Sequence, residues 1–255
     1  MTLLLRQHKG KSAMRRPLIA CLASLLFGAA VPAAGEEVDL ELVFAADGSG
    51  SIDNDELRLQ RKGWADALTS EEVLAGIRDG MTGAIAVAYM EWGGPSSQVL
   101  VVDWHVIRDP ATAKVFADKL MTAPRGATGY NSISNAIDFS VRLVESNSHE
   151  GLRKVIDVSG DGPNMNGRSL DAARQDALDK GFTINALAIY RPGGRPGGPG
   201  GTSLEQYYRE RVIGGPSSFV MIADETTPFA VAARRKLINE IAGRAPPSRF
   251  ARKRD

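Results

Sequence analysis

Cysteine is almost missing from this 255-residue chain: Cys21 is the only one. It falls in an N-terminal segment with the character of an export leader, so the body that follows has no thiol at all. Disulfide cross-links, a cysteine nucleophile and a thiolate metal site are therefore excluded from the body. Histidine is nearly as scarce, with three residues. His8 lies in the leader, His105 follows Trp104 in a strand-like run, and His149 belongs to the polar turn Ser146-Asn147-Ser148-His149-Glu150. No serine-histidine-acid arrangement is recognisable, so His105 reads as a sheet-edge residue and His149 as a solvated one. The three tryptophans, Trp64, Trp92 and Trp104, read as packing residues. A surplus of positive charge is absent too. Five of the 31 basic residues (Arg6, Lys9, Lys11, Arg15, Arg16) and none of the 30 acidic ones lie in the first 34 positions, so the remainder carries 26 against 30. A mildly acidic body lacks the basic footprint that nucleic-acid binding needs.

What remains is ordinary globular material, 43% hydrophobic and 24% charged, in a chain long enough to bury a sizeable core. The basic stretch ending at Arg15-Arg16 precedes an apolar segment from Pro17 to Ala34 that closes on the small residues Val31-Pro32-Ala33-Ala34. Residues 1–34 thus read as a signal peptide cleaved near Ala33 or Ala34, which directs the protein to the periplasm or outside the cell. An uncleaved N-terminal anchor is the alternative; after cleavage no stable membrane insertion is expected. The Arg15-Arg16 pair leaves general and twin-arginine export both open. Leu18-Ile19-Ala20-Cys21 resembles a lipobox, but only about four apolar residues precede the cysteine where a signal needs roughly 7–15. Residues 35–244 form the expected domain, and 245–255 a disordered basic tail.

Strand-like and helix-like segments alternate along that domain. Val38 to Ala46, Ala84 to Tyr89, Gln98 to Val106, Lys154 to Val158, Phe182 to Tyr190 and Phe219 to Ile222 read as strands. Helices are expected over Glu56 to Ile77, with a break near Thr69-Ser70, and over Pro110 to Leu120, Ser132 to Val144, Ser169 to Lys180, Leu204 to Arg211 and Pro228 to Ile241. The pattern predicts an α/β fold: a three-layer, Rossmann-like architecture with a mostly parallel central sheet and helices on both faces. The short Gly93-Gly94-Pro95 turn makes its two flanking strands a hairpin, giving one antiparallel edge strand. The one low-complexity stretch, Gly193 to Gly201, lacks the G-K-[S/T] ending of a phosphate-binding loop and reads as a variable surface loop.

Chemistry concentrates at two strand ends. Asp47-Gly48-Ser49-Gly50-Ser51 follows the first apolar run and offers a carboxylate and two hydroxyls through glycine spacers, an oxygen-rich cup suited to a hard divalent cation. Asp53 to Glu56 then opens a helix with a capping box. Ser159-Gly160-Asp161-Gly162 puts a second acid at another strand end, and Gly126 to Asn131 supplies a polar turn before a middle helix. In open α/β sheets ligands bind at that edge. Asp157, Asn164 and Asn166 stand nearby with either a structural or a supporting role.

These residues resemble the metal-ion-dependent adhesion site of von Willebrand factor type A (vWA) domains. Glu91-Trp92, Val158 to Asn164 and Val212 to Pro216 resemble, more narrowly, a mostly proteobacterial branch of that superfamily whose function is unknown. The resemblance implies that Ser49 and Ser51 bind the metal directly, that Asp47 and Asp161 act through water or hydrogen bonds, and that one coordination position stays open. Where the family has threonine on the middle turn, counting back from Ala136 lands on Asn131, and Thr128 is the alternative. With no histidine or cysteine in the motif, Mg²⁺ is the first choice of ion, with Mn²⁺ or Ca²⁺ open and Zn²⁺ disfavoured. The expected function is a divalent-cation-dependent module that captures an Asp or Glu carboxylate of a partner protein. A Mg²⁺-dependent phosphohydrolase using Asp47 as nucleophile is the alternative, but that chemistry wants a second acid two residues on, and Ser49 occupies the position.

Overall fold

The computed structural model describes residues 35–190 and 198–246. The signal peptide expected over 1–34, most of the glycine-rich loop and all but the first two residues of the basic tail lie outside the described residues.

Six strands make the central sheet: β2 (Leu40–Asp47), β3 (Ile85–Trp92), β4 (Gln98–Ile107), β6 (Lys154–Gly160), β7 (Phe182–Ile189) and β8 (Val220–Ala223). Their order is β4-β3-β2-β6-β7-β8, and every neighbouring pair is parallel except the β3–β4 hairpin. The edge strand foreseen from the Gly93-Gly94-Pro95 turn is therefore β4. All eight residues of β2 and of β3 are buried, as expected for strands covered on both faces.

Side chains alternate across the sheet and divide the core in two. One face carries Leu40, Leu42, Phe44 and Ala46 of β2. They pack on α1 (Asn54–Leu68), α2 (Glu71–Arg78), α3 (Pro110–Thr122) and α7 (Phe229–Ile241) through Trp64, Leu74, Phe116 and Leu237. The Phe44 and Trp64 rings stand 4.5 Å apart, and Trp64 meets Phe229 edge-on at 5.7 Å. The other face, with Val43, Ala45, Trp92, Ile156 and Val158, packs on α4 (Ile133–Ser146), α5 (Leu170–Asp179) and α6 (Leu204–Tyr207).

The helix break near Thr69-Ser70 has a local cause. Both hydroxyls bond back to backbone oxygens, Thr69 to Ala65 and Ser70 to Ala67 at 2.8 Å each, and such competition ends a helix. The capping box at Asp53 is present: Glu56 N–H donates to Asp53 Oδ1 at 2.8 Å, and Asp53 N–H to Glu56 Oε2 at 2.9 Å. Gly181 and Gly243 close α5 and α7 in the left-handed region (φ +82° and +64°), as glycines past a helix end do.

Three features depart from expectation. The first strand splits at Asp39, so that β1 (Glu36–Val38) leaves the sheet and pairs with β5 (His149–Gly151) in a small parallel ribbon. His149 is thus a strand residue, half-buried beside Trp104 rather than solvated in a turn. Strands of three residues are too short for a period-2 signal to register. The helix expected over 204–211 runs as α6 and then widens into a π-helical turn, Tyr208–Val212, which buries Tyr208 completely.

Candidate metal centre

β2 lies between β3, which follows it in the chain, and β6, reached by a longer crossover. This is the point where strand order reverses, and the crevice outside its carboxyl edge is where such sheets hold ligands. Asp47 is the last residue of β2, and Asp161 follows directly on β6. β2 and β6 are hydrogen-bonded neighbours, so the two acid turns expected from the sequence meet at one edge.

The contacts are short. Ser51 Oγ donates to Asp161 Oδ1 at 3.0 Å, and the hydroxyls of Ser49 and Ser51 are 3.0 Å apart. Ser49 N–H donates to Asp47 Oδ1 at 2.8 Å, fixing that carboxylate against its own turn. Asp47 and Ser49 are fully buried, Ser51 is exposed and Asp161 half-buried, so the cup has a buried floor and an open rim. Oδ2 of Asp47 is buried and accepts no hydrogen bond among the described residues. Burial, and then the negative charge of Asp161, push the Asp47 carboxyl up to about 7. Two acids drawn together with an orphaned oxygen, and with neutral oxygen donors beside them, fit a hard cation. No cluster of three His, Cys, Asp or Glu side chains suited to a metal occurs among the described residues; what the cup offers is two acids and neutral oxygens.

The floor has no room to spare. A Cβ on Gly160 would come within 2.8 Å of Tyr208 Oη, 3.0 Å of Trp92 Cζ2 and 3.1 Å of Asp47 Oδ2. Tyr208 Oη in turn donates to the Gly162 carbonyl at 2.9 Å, holding the turn that carries Asp161. Asn131 is nearly buried, and its side-chain amide lies against that same turn: a Cβ on Gly162 would stand 2.6 Å from Asn131 Nδ2. Its backbone carbonyl accepts from Met165 N–H at 2.8 Å, tying the middle turn to the Asp161 turn. Thr128 is exposed on the same middle turn and engaged through its backbone, its N–H donating to Ser97 Oγ at 2.9 Å. Gly129 carbonyl accepts from Gly50 N–H at 2.8 Å, so this turn also touches the cup. Asn164 Oδ1 accepts from Ser134 N–H at 3.0 Å at the start of α4, which tethers the Asp161 turn to that helix. Asp157 faces the opposite side of the sheet and meets Lys236.

Two arginines and one glutamate were not legible as part of this site. Arg125 donates from Nη2 to the carbonyls of Gly48, Ser49 and Ile52 at 2.7, 2.8 and 2.8 Å. Arg61 pairs with Glu91 through Nε and Nη2 at 2.9 and 2.5 Å, and Glu91 Oε2 accepts from Gly126 N–H at 2.7 Å. Glu91 was visible only as half of the Glu91-Trp92 pair, and an arginine in a turn gives no periodic signal.

Three solved structures with this architecture allow comparison. The pilus adhesin SpaC from Lactobacillus rhamnosus GG matches at TM-score 0.56 and 14% identity, over 82% of this chain and 31% of its own. A von Willebrand factor type A structure from Catenulispora acidiphila matches at 0.54 and 14%, over 81% and 42%. Proximal thread matrix protein 1 from the mussel byssus, solved with a zinc-occupied MIDAS motif, matches at 0.53 and 14%, over 82% and 46%. This chain therefore spans less than half of each of those chains, and the likeness is one of fold: it has the vWA fold that its motifs implied. No curated protein sequence matches it. Among the described residues no helix is long and apolar enough to cross a membrane. The family model for DUF1194, described as a protein of unknown function, covers residues 37–245, and the chain belongs to that family.

Proposed function

We propose that this protein is an exported binding module that holds a divalent cation at the Asp47–Asp161 cup and captures a carboxylate of a partner protein. The observation that carries the reading is the buried Asp47 carboxylate, whose Oδ2 accepts no hydrogen bond of good geometry and which lies beside the negative charge of Asp161. Ser49, Ser51, Asp161 and Asn131, with Thr128 in place of Asn131 as the alternative, supply the remaining oxygens. Two acids balance a 2+ ion without saturating it, so when bound the ion leaves a Lewis-acid position for an incoming Asp or Glu. Mg²⁺ suits this all-oxygen set best. Zinc in the MIDAS motif of the mussel protein makes Zn²⁺ a necessary comparison. The adhesin SpaC supports a protein-binding role, and the leader-like N-terminus supports action in the periplasm or beyond. The hydrolase alternative lacks its second acid: the position two residues after Asp47 is Ser49, which cannot act as a general acid in that chemistry.

Calorimetric and thermal-shift titration of Mg²⁺, Mn²⁺, Ca²⁺ and Zn²⁺ tests the reading. Wild-type protein is expected to bind Mg²⁺ and to gain about 2.7 kcal/mol at a hundredfold excess over Kd, and Asp47→Ala to gain nothing. Wild-type protein without any metal response ends the proposal. Asn131→Ala is expected to weaken Mg²⁺ binding while Thr128→Val leaves it unchanged; the reverse outcome moves the middle ligand to Thr128.

A further inference from the structure

The guanidinium of Arg125 is spent almost entirely on the loop that carries Ser49 and Ser51. Besides the three Nη2 bonds to Gly48, Ser49 and Ile52, Nη1 donates to Asn54 Oδ1 at 3.1 Å, just inside α1. Nε donates to Ala127 carbonyl at 3.1 Å on its own turn. One planar cation thus joins the cup loop through Nη2, Asn54 through Nη1 and Ala127 through Nε, and a lysine, with a single ammonium nitrogen, cannot span that fork.

Arg125 is itself held from behind. Arg61 donates to the carbonyls of Ala123 and Pro124, the latter at 2.9 Å. Glu91 Oε2 accepts from Gly126 N–H at 2.7 Å, so the residues on both sides of Arg125 are anchored to the buried Arg61–Glu91 pair. The anchor runs from the sheet (Glu91 on β3) and α1 (Arg61), through 123–126, to the cup. None of these groups is a candidate ligand; each acts on the backbone that aims the ligands.

We infer that Arg125 is a positioning residue for the cation: it sets loop 48–52 in its ligand-holding shape before an ion arrives. This rests on the divalent-cation reading of the cup. A loop already in shape loses no conformational freedom on binding, and that saving appears as affinity. The guanidinium also brings a fixed positive charge to the loop beside two acids, which favours an anionic ligand once an ion is bound.

The full chain, wild type and the Arg125→Ala and Arg125→Lys variants, is titrated with Mg²⁺, and backbone amide exchange is followed in chelator and in saturating Mg²⁺. Both variants are expected to bind Mg²⁺ about 10- to 100-fold more weakly, as loss of a supporting group does at metal sites. Their amides in loop 48–52 are expected to exchange faster than wild type in chelator, and to recover protection in Mg²⁺. Lysine keeps the charge, so its failure to rescue identifies the fork and not the charge. Unchanged affinity and unchanged loop exchange overturn the inference, as does faster exchange spread through β2 and β6, which marks a general loss of stability. Wild-type protein that responds to none of Mg²⁺, Mn²⁺, Ca²⁺ and Zn²⁺ ends the cation reading alone, because exchange in chelator still reports what Arg125 holds.

Discussion

Lys236→Met is expected to cost this protein about 3–5 kcal/mol of stability, the usual penalty for removing one partner of a buried ionic cluster. Lys236 on α7 is completely buried, with Nζ 2.7 Å from Asp157 Oδ1 on β6 and 2.5 Å from Glu240 Oε1 one helical turn on. Asn185 on β7 completes the group, its Nδ2 donating to Glu240 Oε1 at 2.9 Å, and the Phe219 ring lies 5.2 Å from the ammonium. Methionine fills similar space but leaves two carboxyls in the core without a cation. Replacing Asp157 by leucine in the same chain is expected to recover part of the loss, because the buried charge goes with its partner.

The cluster holds two acids for one base, and burial, then Glu240, push the Asp157 carboxyl up to about 8. The folded protein therefore takes up a proton that the unfolded chain, with a pKa of about 3.9, releases. The contribution of Asp157 is full below about pH 4 and is lost as pH climbs through the folded value. Urea unfolding at pH 5 and pH 9 is expected to give the higher stability at pH 5, and Lys236→Met to widen that difference. Equal stability of the variant and wild type at pH 9 would remove the cluster from any account of how α7 is held.

How much of this was legible in the sequence follows from the range of each signal. The strands were legible because β2 and β3 are nearly continuous apolar runs, broken only by Glu41 and by the acids Asp47 and Glu91 near their ends. The cup was legible because Asp47, Ser49 and Ser51 crowd into five residues, and because Asp161 repeats the same strand-end chemistry. What failed to register was pairing at a distance. Lys236 and Glu240 fall on the inward stripe of α7 with Ala232, Ala233 and Leu237, but nothing local names Asp157 as their partner. Asp157 was visible as an acid in a buried strand with no counter-charge in view. Arg125 was invisible for a related reason: its contacts are backbone carbonyls of the cup loop, and a carbonyl has no side-chain identity to recognise. The short β1–β5 ribbon failed by length alone.

Glu91→Ala is the substitution expected to couple stability to the site. It strips Arg61 Nε and Nη2 of their carboxylate and leaves Gly126 N–H without its acceptor, in a place where the Glu91 side chain is wholly buried and that of Arg61 only 7% exposed. The loss is expected at about 3–5 kcal/mol, since a buried guanidinium without its counter-charge is costly even with the carbonyls of Ala123 and Pro124 still to donate to. Arg61→Met is expected to cost about as much by stranding Glu91 instead, and to release the carbonyls of Ala123 and Pro124. The two changes share one interaction, so the double variant is expected to lose less than the sum, by roughly 0.5–3 kcal/mol. Denaturant unfolding of the four proteins closes that cycle, and strict additivity would mean that the pair does not act as a unit. The same variants bear on the metal cup, because residues 123–126 carry Arg125. Those that remain folded are expected to bind Mg²⁺ more weakly although neither side chain is a ligand, whereas Lys236→Met, on the far side of the sheet from Asp47, is expected to lower stability and leave Mg²⁺ affinity as it was.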